Sequence, residues 1–165
     1  MSVSIVVLDA CILISLAQVN RFDITENLEG YNFFTTEHVL KEIMDKQQLA
    51  LINTQISSGV LEVIKLVEPS TLKLYFQLKA RIGSGEASCI AIAKEKHWLV
   101  CSDDKRKVPT LVEAHLGKGA LLTIDGLLDL ATKGKVLNIE TADEIRKSLI
   151  EISEMQLAER VLDDL

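Results

Sequence analysis

The sequence predicts an α/β protein: a three-layer α/β/α sandwich around a largely parallel sheet, with an added C-terminal helix. Three observations carry that expectation. Short β-rich runs alternate with segments long enough for crossover helices, which is the pattern of right-handed βαβ units. The first run, SIVVLD at 4–9, is apolar without polar alternation, as in a strand buried on both faces. The chain has 165 residues, 48% hydrophobic and 25% charged, which suits one compact domain. A chain of about 150 residues buries roughly 70% of its unfolded surface and needs neither a disulfide nor a structural metal.

The elements follow in order. ACILISLAQV (10–19) is apolar nearly all round and suits a buried helix, and the polar NRFDITENLEG (20–30) reads as a loop. YNFFTT (31–36) is a strand, Thr36 caps the helix EHVLKEIMDKQQ, and a further helical stretch reaches to about Ser58, where Ser58-Gly59 stops it. VLEVIKLV (60–67) alternates as a strand does. Pro69-Ser70 opens the helix TLKLYFQLKARI, which Gly83-Ser84-Gly85 breaks. Glu86 begins EASCIAIAKEKH, with Ala87, Ile90, Ala91 and Lys94 at helical spacing. The strand WLVCS (98–102) runs into Asp103-Asp104. A helix at 108–116 with Pro109 in its first turn, a strand at 120–123 and a helix at 124–134 complete the pattern. Residues 1–138 are expected to form the domain and 139–165 the extension. Its helix reads from Thr141-x-x-Glu144, a capping-box form, with Ile145, Leu149 and Ile152 on one stripe.

Composition removes several classes. With 24 acids against 18 bases the formal charge is −6, which excludes a polycation that binds nucleic acid by charge alone. Local charge still decides contact with nucleic acid. The N-terminus lacks the basic flank of a signal peptide, and no run of about 18 apolar residues is present, so a cytoplasmic protein without a membrane span is expected. Cys11, Cys89 and Cys101 show no CxxC spacing and read as buried thiols in a reducing compartment. His38, His97 and His115 have no zinc-ligand spacing.

Acids stand where chemistry is expected. Ligands of open α/β sheets bind beyond the carboxyl ends of strands, and two strands here run into Asp9 and into Asp103-Asp104. Taken singly, each has an ordinary explanation as a helix cap or a solvated loop residue. Glu86 likewise sits in a first helical turn, where the dipole favours a carboxylate. Glu42, framed by Val39, Leu40 and Ile43, stands at the edge of an apolar stripe. Four acids from four separate junctions are harder to explain one by one. Convergent carboxylates without a basic partner repel one another, and hard cations such as Mg²⁺ or Mn²⁺ relieve that repulsion.

The ordered set VVLDACILI, VLKEI, GSGEASCIAIA and VCSDD, over roughly residues 3–135, resembles the PIN-domain family of metal-dependent nucleases, which includes VapC-type toxins. The resemblance implies Asp9, Glu42, Glu86 and Asp103 as catalytic metal-binding acids, with Asp104 as an additional or alternative ligand. Ser102 matches the small hydroxyl residue that commonly precedes the acid. Cys11 stands where relatives often carry Ser or Asn to orient the first Asp. An endoribonuclease is implied, with Mg²⁺ or Mn²⁺ as cofactor and water as nucleophile. Lys105, Arg106 and Lys107 are placed to neutralise phosphates beside the scissile one, or else form an exposed solubilising loop. The family also suggests a toxin held by a small antitoxin protein, and a homodimer. Leu157, Val161 and Leu162 on the tail helix suit such contacts or packing on their own domain.

Three rivals compete with this reading. Gly83-Ser84-Gly85-x-x-Ser88 approximates a dinucleotide fingerprint, but it follows a helix and Glu86 would repel a pyrophosphate. A Mg²⁺-binding phospho-receiver needs two acids at the first strand and a Lys at a late strand end, where this chain has Asp9 alone and Thr123. A PIN-fold RNA-binding or assembly module without catalysis is the third, and the presence of all four acids weighs against it.

Overall fold

The computed structural model describes residues 2–165. Its core is a sheet of five parallel strands in the order β3-β2-β1-β4-β5. These are β1 (Ser4–Leu8), β2 (Tyr31–Thr36), β3 (Leu61–Ile64), β4 (Leu99–Cys101) and β5 (Leu121–Leu122). The central strand is the most apolar, and Val6, Val7 and Leu8 are fully buried. In register, Val6 faces Phe33 on one side and Leu99 on the other.

The connections are helical, as parallel pairing demands. α1 (Ala10–Gln18), α2 (Asp23–Asn27), α3 (Glu37–Glu42) and α4 (Lys46–Ser57) link β1 to β2 and β2 to β3. α5 (Pro69–Lys79) and α6 (Ser84–Lys96) cross from β3 back past β1 to β4, and α7 (Val108–Leu116) links β4 to β5. α1 packs on α4, whereas α5, α6 and α7 pack in series. The expected sandwich with its parallel sheet is therefore present. β1 is central because the chain winds outward from it in one direction and, after α6, in the other. The switch point lies between β1 and β4, and ligands of such sheets bind at the carboxyl ends there.

Several expected elements differ. Residues 20–30 contain the short helix α2, whose Ile24 and Thr25 are buried; the polar surroundings hid one turn of packed helix. The helix expected over EHVLKEIMDKQQ is shorter, and its last residues belong to the next one. α3 stops at Glu42 and Asp45 caps α4 by accepting from the Gln48 amide at 2.9 Å. Helix α6 takes in Ser84 and Gly85 and has Gly83 as its cap residue, so the glycines open the helix instead of merely breaking the previous one. The expected strands at 60–67 and 120–123 shorten to four and two residues.

α8 (Ile124–Lys133) and α9 (Ile139–Asp163) close the chain. Asn138, not Thr141, caps α9: its side chain accepts from the Thr141 amide at 2.7 Å. Ala142 and Ile145 belong to the domain core. Arg146 ties α9 to α8 through Asp125 and Asp129 at 3.0 and 2.7 Å.

Candidate functional site

At the carboxyl ends of β1 and β4 lies an open pocket of about 510 Å³, lined by Asp9, Ala10, Cys11, Ile14, Glu42, Glu86, Asp103 and Asp104. All five acids singled out in the sequence thus face one space. They arrive by different routes. Asp9 immediately follows β1, and its backbone continues the sheet through a hydrogen bond from its amide to the Cys101 carbonyl at 3.0 Å. Asp103 and Asp104 follow β4. Glu42 is the last residue of α3, and Glu86 lies in the first turn of α6.

Each acid commits one carboxylate oxygen to backbone amides. Asp9 Oδ1 accepts from the Ala10 amide at 2.7 Å, and Glu42 Oε1 from the Gly85 amide at 2.7 Å. Glu86 Oε2 accepts from Gly83 at 3.2 Å, and Asp103 Oδ1 from Ile124 at 2.8 Å. Asp104 Oδ1 accepts from Arg106, Lys107 and Val108 at 2.8, 3.0 and 3.3 Å. The ordinary role of an acid at a helix start and a place in the pocket therefore coexist. Among the described residues, none of the five forms an ion pair with Lys or Arg.

Ser102 and Cys11 surround Asp9. The Ser102 hydroxyl donates to Asp9 Oδ2 at 2.9 Å and the Cys11 thiol approaches the same oxygen at 3.7 Å. Cys11 also receives the Asp103 amide at 3.4 Å, so it joins the two strand ends. It is half-buried, unlike the fully buried Cys89 and Cys101. Burial first, and the Asp9 charge next, push its thiol up to about 12.

Unneutralised acids in a partly desolvated pocket hold their protons more tightly. Asp9 is only 3% exposed; burial raises its carboxyl above the ordinary range, and the Glu42 charge adds to this. Glu86 is raised by burial and then by Asp9, Asp104 and Glu42, and Asp103 by burial and then by Asp125. Asp104 moves the other way. Burial pushes it up, but three backbone amides and Arg106 outweigh that and hold it below the usual range.

Glu42 depends on glycine. A Cβ on Gly85 would lie 2.5 Å from Glu42 Oε2 and 2.9 Å from its Cδ. Glu42 therefore lies flat against the opening of α6, where any side chain would displace it. Behind this contact the buried Thr36 and Ser88 hydroxyls meet at 2.7 Å, and Ser88 donates to the Gly85 carbonyl at 2.6 Å. Those bonds join the cap of α3 to the first turn of α6. Thr36 is the helix cap expected from the sequence; its bond to Ser88 and the close fit at Gly85 are not legible there beyond the run of small residues in SGEAS, which permits close helix contact.

Lys105, Arg106 and Lys107, which directly follow Asp104, are exposed. Lys107 Nζ donates to the Arg81 carbonyl at 3.0 Å, which leaves Lys105 and Arg106 as the freer cations.

The donors are oxygen carboxylates of the kind that hard divalent cations prefer, and their chemistry fits such an ion. They line the walls without meeting at a point: among the described residues no three His, Cys, Asp or Glu side chains already form a group able to hold a metal. Ligation therefore requires the carboxylates to turn inward, where a bound cation would offset both the burial and the mutual repulsion that raise Asp9 and Glu86.

A doubly wound parallel sheet with a carboxylate pocket at its switch point defines a class of α/β domain with an acidic site. A family model for the PIN domain matches residues 5–164, and the chain belongs to the PIN-domain family. The match runs through α9, further than the motifs themselves reach. PIN domains are generally nucleases, so the chain has a nuclease-type fold. No curated protein matches the chain. Among the described residues no helix is long and apolar enough to cross a membrane.

Proposed function

We propose that this protein is a Mg²⁺- or Mn²⁺-dependent endoribonuclease. The observation that carries the reading is the pocket itself: five acids from four elements, each anchored by one oxygen on the backbone, and among the described residues none ion-paired with Lys or Arg. A structural role is satisfied by the anchored oxygens alone, and leaves the convergence of five acids on one pocket unexplained.

Asp9, Glu42, Glu86 and Asp103 are assigned as the metal-binding catalytic acids. When bound, the divalent ion supplies polarisation of a phosphodiester and activation of a water molecule. Ser102 and Cys11 fix the direction of Asp9. Asp104 is the weakest candidate ligand, because one of its oxygens already serves three amides. Lys105 and Arg106 are assigned to phosphates flanking the scissile bond, where they add affinity without base selection. RNA as the substrate, a toxin role with a small antitoxin, and a homodimer belong to the same proposal and rest on family likeness; a cytoplasmic location belongs to it on the three free cysteines.

The test is hydrolysis of a mixed RNA and DNA panel with Mg²⁺, Mn²⁺ or EDTA, comparing the natural protein with Asp9→Asn. Metal-dependent RNA cleavage that the variant loses supports the proposal. Equal cleavage by both proteins contradicts the site. Metal binding without cleavage of any substrate supports a non-catalytic RNA-binding or assembly module instead.

A further inference from the structure

Among the described residues Phe76 is the one exposed aromatic side chain. Phe22, Phe33 and Tyr75 are buried, Tyr31, Phe34 and Trp98 are partly buried, and Phe76 is 63% exposed. Its ring is braced from one side. Tyr75 meets it edge-on, with ring centres 5.1 Å apart. Tyr75 is itself fixed: it packs on the His38 ring at 4.5 Å, and its hydroxyl meets Ser84 Oγ at 2.8 Å and His38 Nδ1 at 3.3 Å. A ring already held on one edge loses little further freedom when a second flat group covers its face.

The surroundings are basic. Residues 69–85 include Lys73, Lys79 and Arg81 and no acid, in a chain whose formal charge is −6. Lys73 and Lys79 stand three residues either side of Phe76 on α5, which makes them its neighbours on the helix surface. Among the described residues none of these three bases forms an ion pair. Phe76 lies one turn before the end of α5, and the turn that follows borders the acidic pocket. There Gly83 donates to Glu86, Gly85 donates to Glu42, and Lys107 Nζ donates to the Arg81 carbonyl. Arg81 and Lys79 thus continue the cations of the 105–107 loop toward Phe76.

These features select the occupant. A protein interface needs a contiguous apolar centre, whereas this ring stands alone among exposed Lys73, Gln77, Lys79 and Ala80. A second copy paired through this face brings its own Lys73 and Lys79 against the first pair, because a twofold interface meets itself. A single-stranded polyanion satisfies both parts: a base covers the ring and the phosphates meet the flanking cations. Bases paired in a duplex are stacked on one another and do not reach it. We propose that Phe76, flanked by Lys73 and Lys79, is a base-stacking subsite that selects single-stranded RNA for the acidic pocket. Its place on the substrate path rests on the nuclease reading above.

The test is fluorescence anisotropy of the full chain with three labelled RNAs in Ca²⁺, a hard cation that carboxylate sites accept. The RNAs are a short oligoadenylate, an abasic ribose-phosphate strand of equal length, and an adenylate–uridylate duplex. The natural protein should bind the oligoadenylate most tightly. Phe76→Leu keeps an apolar side chain without the flat ring. It should weaken oligoadenylate binding by about tenfold, within the range for one stacked base, and leave the other two RNAs unchanged. Phe76→Trp should bind oligoadenylate as the natural protein does. The thermal midpoint of both variants should stay the same, since the side chain is exposed. The proposal is overturned by equal oligoadenylate affinity in the natural protein and Phe76→Leu, or by no binding at all. An abasic strand or an oligoglutamate bound as tightly as oligoadenylate also overturns it, because charge alone then explains the contact. So does a dimer in sedimentation that Phe76→Ser dissolves. Metal-dependent RNA cleavage with no effect of Phe76→Leu on affinity removes the subsite and leaves the nuclease reading standing. Phe76-dependent binding without cleavage of any RNA removes the nuclease reading and leaves the stack.

Discussion

The two walls of the acidic pocket are built differently. Asp9 and Asp103 stand at the ends of the paired strands β1 and β4, where sheet hydrogen bonds set the backbone and Ser102 and Cys11 hold Asp9 Oδ2. Glu42 and Glu86 come from helix ends on longer side chains, and their positions depend on contacts with Gly85 and Gly83. One wall is rigid because the sheet is rigid; the other is held by close approach between helices. Damage to the strand wall should therefore abolish the site, whereas damage to the helix wall should be graded and open to compensation.

The largest effect is expected at the rigid wall. Asp9→Asn removes the most buried acid, and RNA cleavage should fall by at least about 100-fold, with the folded state retained by circular dichroism. Next comes Gly85→Ala, whose Cβ would enter the space of Glu42. Mn²⁺ affinity should fall by about 10- to 100-fold, the range for disturbing a ligand's support. Glu42→Asp in that background shortens the acid and should recover part of the loss, whereas Glu42→Asp alone should weaken binding. A double variant no better than Gly85→Ala would show that the two walls do not differ in this way.

The difference should also show in stability against pH. Asp9, Glu86 and Asp103 are raised in the folded protein above ordinary values of 3.8, 4.5 and 3.8. Between the unfolded and folded values the folded protein holds more protons than the unfolded chain, so stability rises as pH falls through that window. The thermal midpoint of the metal-free protein should climb from neutral pH toward the ordinary carboxylate range. Asp9→Asn should flatten that climb more than Glu86→Gln, since Asp9 is the more deeply buried of the two. Asp104 contributes with the opposite sign, because its folded value is depressed.

The smallest effect on chemistry is expected at Asp104. Its anchored oxygen caps the amides of Arg106, Lys107 and Val108. Asp104→Ala should lower stability by about 1 kcal/mol, the usual cost of losing such a cap, and change Mn²⁺ affinity less than any other acid substitution in the pocket.

Much of this was legible in the residues. The run of Val6, Val7 and Leu8 announced a central strand, and Asp9 and Asp103 were found because an acid after so apolar a strand needs a reason. Periodicity placed α6, and Pro109 marked the first turn of α7. Less visible was anything that depends on distance between elements. Nothing local says that α3 ends at Glu42, since VLKEIMDKQQ continues a helical pattern; Asp45 ends it by capping the next helix. The closeness of Glu42 to Gly85 is a contact across 43 residues, written in sequence only as a small residue. The distal apolar residues of α9 were visible, but whether they faced the domain depended on angular phase along one uninterrupted helix. The five acids also change the meaning of the charge of −6: part of it lies in the pocket proposed to hold divalent ions, so it does not oppose an RNA partner.

Isothermal titration of Mn²⁺ into the metal-free protein should show binding in the natural chain and its loss in Asp9→Asn, with a thermal midpoint that Mn²⁺ raises only in the former. Equal Mn²⁺ affinity in the two proteins would contradict the assignment of this pocket as the metal site.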